Sequence, residues 1–313
     1  MQIDRCLSGL PAPCGYTHSR YAETFAEFGR PRELRHAGGW ILERSIPGAT
    51  STDAMGCYPI FSCRNWGGLS RDIENLEGLV SLSLVTDPFG KYDAPLLQRC
   101  FPDLTVPFKN HYATDLTRNP DDFLSQHHKR NIKKGLATVI VEECETPTKY
   151  GAEWLELYAH LTRRHSITGI AAFSPQSLLR QLDVPGLVMF RAMLSREIVG
   201  IVLWFIQNDI AYYHLAAYSE SGYESRSSYA IFWMALQIFA GRGIRWLSLG
   251  SAAGLCDNQT SGLARFKQGW STTTRTAYLC GRILNRSAYQ QLVRDRGIPG
   301  GSYFPLYRLG EFS

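Results

Sequence analysis

The sequence lacks the short patterns that assign a metal or a hydrolytic site at once. Its eight cysteines contain no C-x-x-C pair, which argues against common zinc motifs and favours free, mostly buried thiols in a reducing compartment. No histidine pair has H-E-x-x-H spacing. In Gly250-Ser-Ala-Ala-Gly254 the serine directly follows the first glycine, unlike a hydrolase elbow. We therefore predict neither a bound metal nor serine hydrolysis.

Long apolar runs and a strong charge excess are also missing. The longest apolar run, 198–206, is far shorter than the roughly 20 residues that span a bilayer as a helix, and the first residues do not resemble a secretory signal. The 33 basic and 28 acidic residues give a net charge of +5, too little to indicate nucleic-acid binding but compatible with an anionic ligand. We expect a cytoplasmic protein without a membrane span, as a monomer or a homodimer.

The chain has enough apolar sequence for a large core. Its 313 residues, 44% of them hydrophobic and 19% charged, are typical of a globular protein of two domains or of one large α/β domain. The first 35 residues are rich in Pro and Gly and predict an irregular lead with a short helix near 19–28. Downstream, the pattern predicts strands at 40–46, 57–63 and 79–85, and helices at 94–100 and 120–134.

A strand, a buried helix and a second strand follow one another in the second half of the chain. Residues 210–218 are aromatic and apolar without Pro or Gly, which predicts a strand. After a polar break, 229–240 is apolar nearly all round, as in a helix buried on most faces, and Gly241 ends it. Residues 244–249 predict the next strand. Such a unit is right-handed with parallel strands, which we expect to diverge toward the N-terminus of the helix.

The βαβ unit is preceded by helices and antiparallel strands and followed by closing strands. The predicted helices are 153–164 and 175–182, and the predicted strands are 137–142, 187–194, 198–206 and 272–284. The order from 153 onward is helix, helix, three antiparallel strands, helix, strand and closing strands. A basic loop, 262–270, is predicted between the last two strands.

Two motifs resemble the Fem-type transferases and the related FemAB-like branch of the GNAT acyltransferases. One is Gly262-Leu-Ala-Arg-Phe-Lys-Gln-Gly-Trp270 after the βαβ unit, and the other is His128-Lys-Arg-Asn-Ile-Lys-Lys-Gly135 before a strand. The resemblance implies an α/β (α+β) GNAT-like fold with mixed central sheets. It also implies a tandem of a degenerate N-terminal domain, 1–135, and an acyltransferase domain, 136–285, that carries the donor-binding βαβ unit. We expect the tail, 286–313, to pack back on the N-terminal domain.

The resemblance also implies the activity, an N-acyltransferase that moves an acyl group from acyl-coenzyme A, with acetyl-coenzyme A expected, to the amine of a small molecule or peptide. The usual Gly-rich pyrophosphate loop is absent, because the polar break offers only Gly222. A phosphate would instead meet Arg226, Ser227 and Ser228 at the helix start, although one of the serines could simply cap the helix. The remaining predicted donor-binding residues are Tyr218, Gly250, Ser251 and Phe266.

Three residues are candidates for catalysis. By the resemblance, Lys267 faces the negative charge that develops on the acyl carbonyl, whereas a lysine in a Gly-bounded loop is usually a solvated surface charge. His214 lies mid-strand beside tyrosines and is a candidate base for the amine, although a hydrogen-bonded structural histidine is more common. Strand alternation places Tyr212, His214, Ala216 and Tyr218 on one face of the strand. Tyr213, on the other face, completes the catalytic set.

Four residues are predicted to contact the acceptor or a nucleic acid. They are Trp204, Tyr212, Lys129 and Arg130. The basic run at 127–134 would suit phosphates of tRNA, although such a run is usually the solvated face of a helix. Two alternatives therefore stay open. One is a Fem-type aminoacyltransferase that uses aminoacyl-tRNA to form a peptide bond on a small-molecule or cell-wall-precursor amine. The other is a non-catalytic binding module on a decayed acyltransferase fold.

Overall fold

The structure, a computed structural model, describes residues 12–252 and 261–311. The chain divides into a first unit, within 1–109 and 276–313, and a second unit, 110–275. In chain order the helices and strands are α1 Ser19–Glu23, β1 Arg30–Leu34, β2 Gly39–Ser45, β3 Thr52–Gly56, α2 Leu69–Glu74, β4 Leu79–Val85, α3 Ala94–Cys100, β5 Leu104–Asp115, α4 Pro120–Phe123, α5 Gln126–Thr138, β6 Ile140–Glu143, α6 Gly151–His165, α7 Pro175–Gln181, β7 Leu187–Leu194, β8 Glu197–Gln207, β9 Ile210–Tyr218, α8 Glu220–Glu224, α9 Ser227–Gly241, β10 Trp246–Gly250, α10 Gly262–Trp270, β11 Thr273–Ile283 and α11 Arg286–Asp295.

The first unit is built on a mixed sheet. Strands β1, β2 and β3 are antiparallel neighbours, β3 pairs parallel with β4, and β4 pairs antiparallel with β11. The predicted strands near 40–46 and 79–85 are confirmed. The prediction of a strand at 57–63 is wrong: the strand is β3, at 52–56, and 57–63 is irregular apart from two isolated bridges. Pro59 explains the difference, since a proline has no N–H to donate to a sheet ladder.

The C-terminal segment is held in the first unit by a buried ion pair. Tyr307 is fully buried, and its hydroxyl donates to the carboxylate of Asp53 at 3.0 Å. Arg308 binds the same carboxylate through two nitrogens, at 2.6 and 2.9 Å. A paired, hydrogen-bonded arrangement is what a charge needs in order to be buried. Residues 305–311 therefore have a fixed place in the first unit, against β3.

The second unit carries the βαβ pattern that the sequence predicts. Strands β6, β7, β8 and β9 are antiparallel neighbours, β9 pairs parallel with β10, and β10 pairs antiparallel with β5. Helix α9 connects β9 and β10, and its residues Ile231, Phe232 and Phe239 are at most 1% exposed. The prediction of adjacent parallel strands around a buried helix is confirmed.

Several local predictions for the two units are corrected by the structure. Residues 262–270 form helix α10 rather than a loop, with Ser261 as its N-cap. Strand β5 and helix α11 were not predicted. Helix α5 continues to Thr138, so the strand that follows it begins at Ile140 rather than 137. Within the described residues, no helix combines the length and apolarity needed to cross a bilayer.

The limits of the second unit differ from the predicted domain limits of 136 and 285. Helix α5 lies against α9, where a Cβ on Gly135 would be 2.7 Å from the carbonyl oxygen of Arg226. This close packing makes α5 part of the second unit. At the other end, the last residues of β11 pair with β4, and residues 276–311 therefore belong with the first unit.

We predict that Gly222 is required where α8 lies against β8. A Cβ on this residue would be 2.0 Å from the carbonyl oxygen of Val199. Gly222→Ala should therefore lower the free energy of unfolding by about 2 kcal/mol, as overpacking does, despite the higher helix propensity of alanine. Urea unfolding measures the change. Gly241→Ala is the matched control, because no atom lies within 4 Å of its added Cβ. Equal stability of the two variants would contradict the prediction.

Candidate functional site: the opening between two parallel strands

The candidate site lies where β9 and β10 separate. The two strands pair over three residues only, from Trp246 opposite Ile210 to Ser248 opposite Tyr212. Beyond this point β10 shifts register against β5, and Gly250 adopts a φ of +74°, a conformation that favours glycine. The edge of β9 that faces away from β8 thus has no β10 partner after Tyr212. The separation confirms the predicted divergence and leaves backbone groups of β9 available to a ligand.

A β-bulge in β9 decides which side chains face the opening. Trp204 of β8 is opposite Tyr213 and Leu203 is opposite Leu215, so His214 is the extra residue of the bulge. Because a bulge resets the alternation of a strand, Tyr218 shares a face with Tyr213. The predicted common face of His214, Ala216 and Tyr218 is therefore wrong.

His214 is a buried residue on the other face of the sheet. Its Nε2 lies 2.9 Å from Oε1 of Gln181 on α7, and its ring packs 4.6 Å from that of Phe205. Burial lowers the pKa of His214 to about 3. The imidazole is therefore neutral near pH 7, but it lies across the sheet from Tyr213, where it cannot reach an amine in the opening.

Lys267 reaches the opening from α10. The side chain is 6% exposed, and its Nζ donates a hydrogen bond of 2.7 Å to the carbonyl oxygen of Ser251. The same nitrogen lies 5.4 Å from the centroid of the Tyr213 ring and 3.2 Å from where a Cβ on Gly250 would be. The structure thus brings together four residues of the predicted site, which are Lys267, Tyr213, Gly250 and Ser251. A buried cation beside the separated strands is suited to stabilising a negative charge.

Phe266, the neighbour of Lys267, points to the opposite side of α10. Its ring packs against Tyr229 and Phe232 of α9, with centroids 5.1 and 4.9 Å away. Its carbonyl oxygen lies 3.1 Å from Nε2 of His128, whose Nδ1 is 3.1 Å from the Ser125 hydroxyl. Burial lowers the pKa of His128. The hydrogen bond to Phe266 raises this pKa by a smaller amount, so the pKa remains below its ordinary value. His128 therefore ties α5 to α10, and Phe266 packs in the core rather than facing the opening.

The N-terminus of α9 carries the three residues predicted to meet a phosphate. Arg226 is exposed, with a φ of +60°, and Ser228 is half-buried. Ser227 is fully buried, and its hydroxyl donates to the carbonyl of Gly222 at 2.8 Å, so neither serine is the N-cap. The backbone N–H groups of Ser227 and Ser228 have no hydrogen-bond partner among the described residues. Free N–H groups at a helix start suit an anion.

The predicted acceptor residues do not come together. Trp204 is fully buried beneath Tyr213, with ring centroids 5.4 Å apart, and Tyr212 is buried on the face opposite Tyr213. Lys129 forms an ion pair of 2.8 Å with Asp121. Arg130 is exposed on α5. Only the two basic residues lie on the surface, where an ion pair contributes little to stability.

Two residues that the sequence did not indicate join Tyr218. Its ring packs 5.5 Å from that of Tyr223 on α8, and the guanidinium of Arg164, at the end of α6, lies 4.6 Å above the Tyr223 ring. Tyr223 is part of a polar break and Arg164 is part of an amphipathic helix, so no sequence pattern connects them. In the part of the chain described, no cluster of His, Cys, Asp or Glu could hold a metal, and the six cysteines there are free thiols. Cys6 and Cys256 lie outside the described residues.

Comparison with known proteins finds a family-model match within the second unit. Residues 124–268 match the family model of an acetyltransferase (GNAT) domain. The match covers most of the second unit, and the predicted resemblance to the GNAT acyltransferases is therefore supported there. No protein of curated function matches the sequence.

The chain as a whole is similar in fold to FemX and to two other solved structures. FemX superimposes with a TM-score of 0.66 at 13% identity, covering 93% of this chain and 97% of FemX. The C-terminal domain of a putative lysylphosphatidylglycerol synthetase from Agrobacterium fabrum gives 0.57 at 14% identity, covering 90% and 91%. L-PGS from Bacillus licheniformis gives 0.56 at 14% identity, covering 92% and 98%. The predicted GNAT-like α/β fold with mixed sheets is confirmed.

We predict that His214 makes folding stability depend on pH. Its pKa is about 3 when folded and about 6.5 when unfolded, so its contribution is complete above pH 6.5 and is lost as the pH falls from 6.5 toward 3. Between pH 7 and pH 5 the free energy of unfolding should fall by about 2 kcal/mol more in the wild type than in His214→Gln. Urea titrations of both proteins measure this. Parallel pH profiles would show that His214 is not buried as a neutral group.

Proposed function

We propose that the protein is an N-acyltransferase that transfers an acyl group from a thioester donor to an amine. The observation that carries the proposal is the buried amino group of Lys267, placed where β10 leaves β9 and next to the left-handed Gly250. A carbonyl oxygen bound at this opening would have two kinds of hydrogen-bond donor, backbone N–H groups of β9 beyond its last pair with β10 and Nζ of Lys267. Both are fixed before the reaction begins, which is the condition for strong stabilisation of an oxyanion.

The chemistry is direct attack. The neutral amine forms a C–N bond to the thioester carbonyl, and the carbonyl oxygen becomes the oxyanion of a tetrahedral intermediate. The C–S bond then breaks, the thiolate leaves, and the proton lost by the amine neutralises it, directly or through water. His214 has no part in this route because it lies across the sheet. Burial raises the pKa of Tyr213, so its phenol stays protonated and can donate a hydrogen bond.

The donor we propose is acyl-coenzyme A, with acetyl as the acyl group because the matched family is described as an acetyltransferase. The free N–H groups of Ser227 and Ser228 at the start of α9 would bind the pyrophosphate, with Arg226 beside them. This arrangement uses the helix end in place of the missing Gly-rich loop. Ser251, whose carbonyl accepts from Lys267, would lie next to the acyl group.

Removing the amino group of Lys267 should slow the reaction itself. Lys267→Met keeps much of the side-chain volume in its buried position but removes the amino group that donates hydrogen bonds. We expect kcat and kcat/KM to fall together by about 10²–10³, the usual loss for one oxyanion donor. The measurement is steady-state acetylation of a panel of amines, with thermal unfolding as the check on folding. Lys133→Met, on the exposed face of α5, is the matched control. A change in KM alone would show that Lys267 binds the acyl donor without stabilising the transition state.

One observation favours a second donor, aminoacyl-tRNA. Arg130, Lys133 and Lys134 are exposed on α5, and within the described part of the chain none of them has an ion-pair partner. An unpaired basic face suits a phosphate backbone. The proteins of similar fold include FemX and a putative lysylphosphatidylglycerol synthetase. In this alternative the same opening would form a peptide bond with the acceptor amine.

A salt series should separate the two donors. We expect saturable binding of acetyl-coenzyme A that weakens little with salt, because one small ligand brings few charges. Binding of charged tRNA would instead weaken with a log–log slope of about 0.7–0.9 per phosphate contact. The measurement is affinity for each donor from low to physiological salt, in the wild type and in a variant with Lys129, Arg130, Lys133 and Lys134 changed to Gln. If the affinity for tRNA falls steeply with salt and this variant reduces the slope, aminoacyl-tRNA replaces acyl-coenzyme A as the proposed donor. Binding of neither donor would favour a non-catalytic module.

A further inference from the structure

Three phenols meet beside the opening. Tyr213 and Tyr218 lie on the same face of β9 because of the bulge, and Tyr223 extends from α8. The rings of Tyr218 and Tyr223 lie 5.5 Å apart. Burial raises the pKa of all three residues, and the nearby phenols raise those of Tyr213 and Tyr218 further. We call these three residues the tyrosine cluster. All three side chains therefore remain neutral near pH 7.

One hydroxyl group of the tyrosine cluster, that of Tyr218, is unsatisfied in the described residues. Tyr218 is 6% exposed, and its buried Oη has no hydrogen-bond partner among residues 12–252 and 261–311. Leaving a buried hydroxyl without a partner costs about 1–3 kcal/mol, and a phenylalanine would avoid that cost. A native structure that retains such a group calls for an explanation. One explanation is a ligand that hydrogen-bonds to the Tyr218 hydroxyl.

Arg164 borders the tyrosine cluster, and its positive charge is not paired with a carboxylate in the described residues. Its guanidinium stacks 4.6 Å from the centroid of the Tyr223 ring, yet it pairs with no carboxylate in the described parts of the chain. Stacking on an aromatic ring fixes the plane of the guanidinium while leaving its N–H groups free. Free, oriented guanidinium N–H groups bind a carboxylate or a phosphate through two parallel hydrogen bonds.

We propose that the tyrosine cluster and Arg164 form the acceptor subsite, and that the acceptor is an amine carrying an anionic group. The phenol oxygens would accept hydrogen bonds from the attacking amine. The Nζ of Lys267 lies 5.4 Å from the Tyr213 ring centroid, so an acyl carbonyl bound to Lys267 would lie next to the amine. Arg164 would bind the carboxylate or phosphate at the far end. The assignment of the amine as acceptor rests on the proposed acyl transfer, but binding to the subsite does not require a donor.

Binding of matched amines tests the subsite without any acyl donor. The probes are β-alanine against propylamine, for a carboxylate, and O-phosphoethanolamine against ethanolamine, for a phosphate. We expect the wild type to bind at least one anionic probe roughly tenfold more tightly than its neutral partner, as isothermal titration or ligand-induced shifts in Tm would measure. The pair with the larger ratio identifies the anionic group. No preference in either pair would overturn the proposal.

Two arginine variants locate the preference. Arg164→Gln should remove the difference between the anionic and neutral probes, and Arg164→Lys should restore part of it because the charge remains. Arg163→Gln is the matched control, since Arg163 is the exposed neighbour on the same helix end and loses the same charge. If Arg163→Gln removes the preference equally, then only general electrostatic attraction is present and the subsite is wrong.

Tyr218→Phe separates a ligand-binding hydroxyl from a structural one. Because the hydroxyl has no partner among residues 12–252 and 261–311, its removal should leave Tm unchanged or raise it, while weakening binding of the anionic amine about tenfold. A lower Tm with unchanged binding would make the hydroxyl structural and contradict the proposal. Acyl transfer is then assayed with the preferred probe. Binding without turnover would refute acyl transfer but leave the subsite, and turnover that ignores Arg164 would refute the subsite but leave acyl transfer.

Discussion

The early end of the pairing between β9 and β10 is the constraint on which the site depends. Three residue pairs hold the strands together, and then Gly250 turns β10 away with a left-handed backbone. A sheet normally satisfies its own N–H and C=O groups, so an opened sheet needs supports that hold it apart. Helix α9 fills one side of the opening with apolar side chains, and Lys267 of α10 binds the carbonyl of Ser251 on the other.

The supports of the opening are themselves held by unusually close contacts. A Cβ on Gly269 would overlap the His128 ring. Because glycine has no Cβ, the imidazole can approach α10 and hydrogen-bond to the carbonyl of Phe266. In the same way Gly222 lets α8 approach β8, and Gly135 lets α5 approach α9. These glycines act by their missing side chains rather than by flexibility. They fix the positions of the helix ends that surround the site.

Polar groups are distributed unevenly between the two sides of β9. On the side of α7, His214 is buried with its Nε2 bonded to Gln181, and its pKa is lowered, so that side contributes stability. On the side of α9, the hydroxyl of Tyr218 is buried without a partner in the described structure, and Lys267 has its amino group at the opening. A buried hydroxyl without a partner costs free energy, and the Tyr218 hydroxyl shares this side of the strand with a buried amino group.

The sequence by itself determined the strand–helix–strand elements at the centre of the second unit. Apolar periodicity located β9, α9 and β10, and a short motif singled out Lys267 before its surroundings were known. It did not determine the face of Tyr218, because a bulge depends on how β8 pairs with β9 and not on the β9 sequence alone. It also did not connect Arg164 with Tyr223, since residues about 60 positions apart meet only through packing. Local patterns fix the period of a chain, whereas register and burial are decided by its partners.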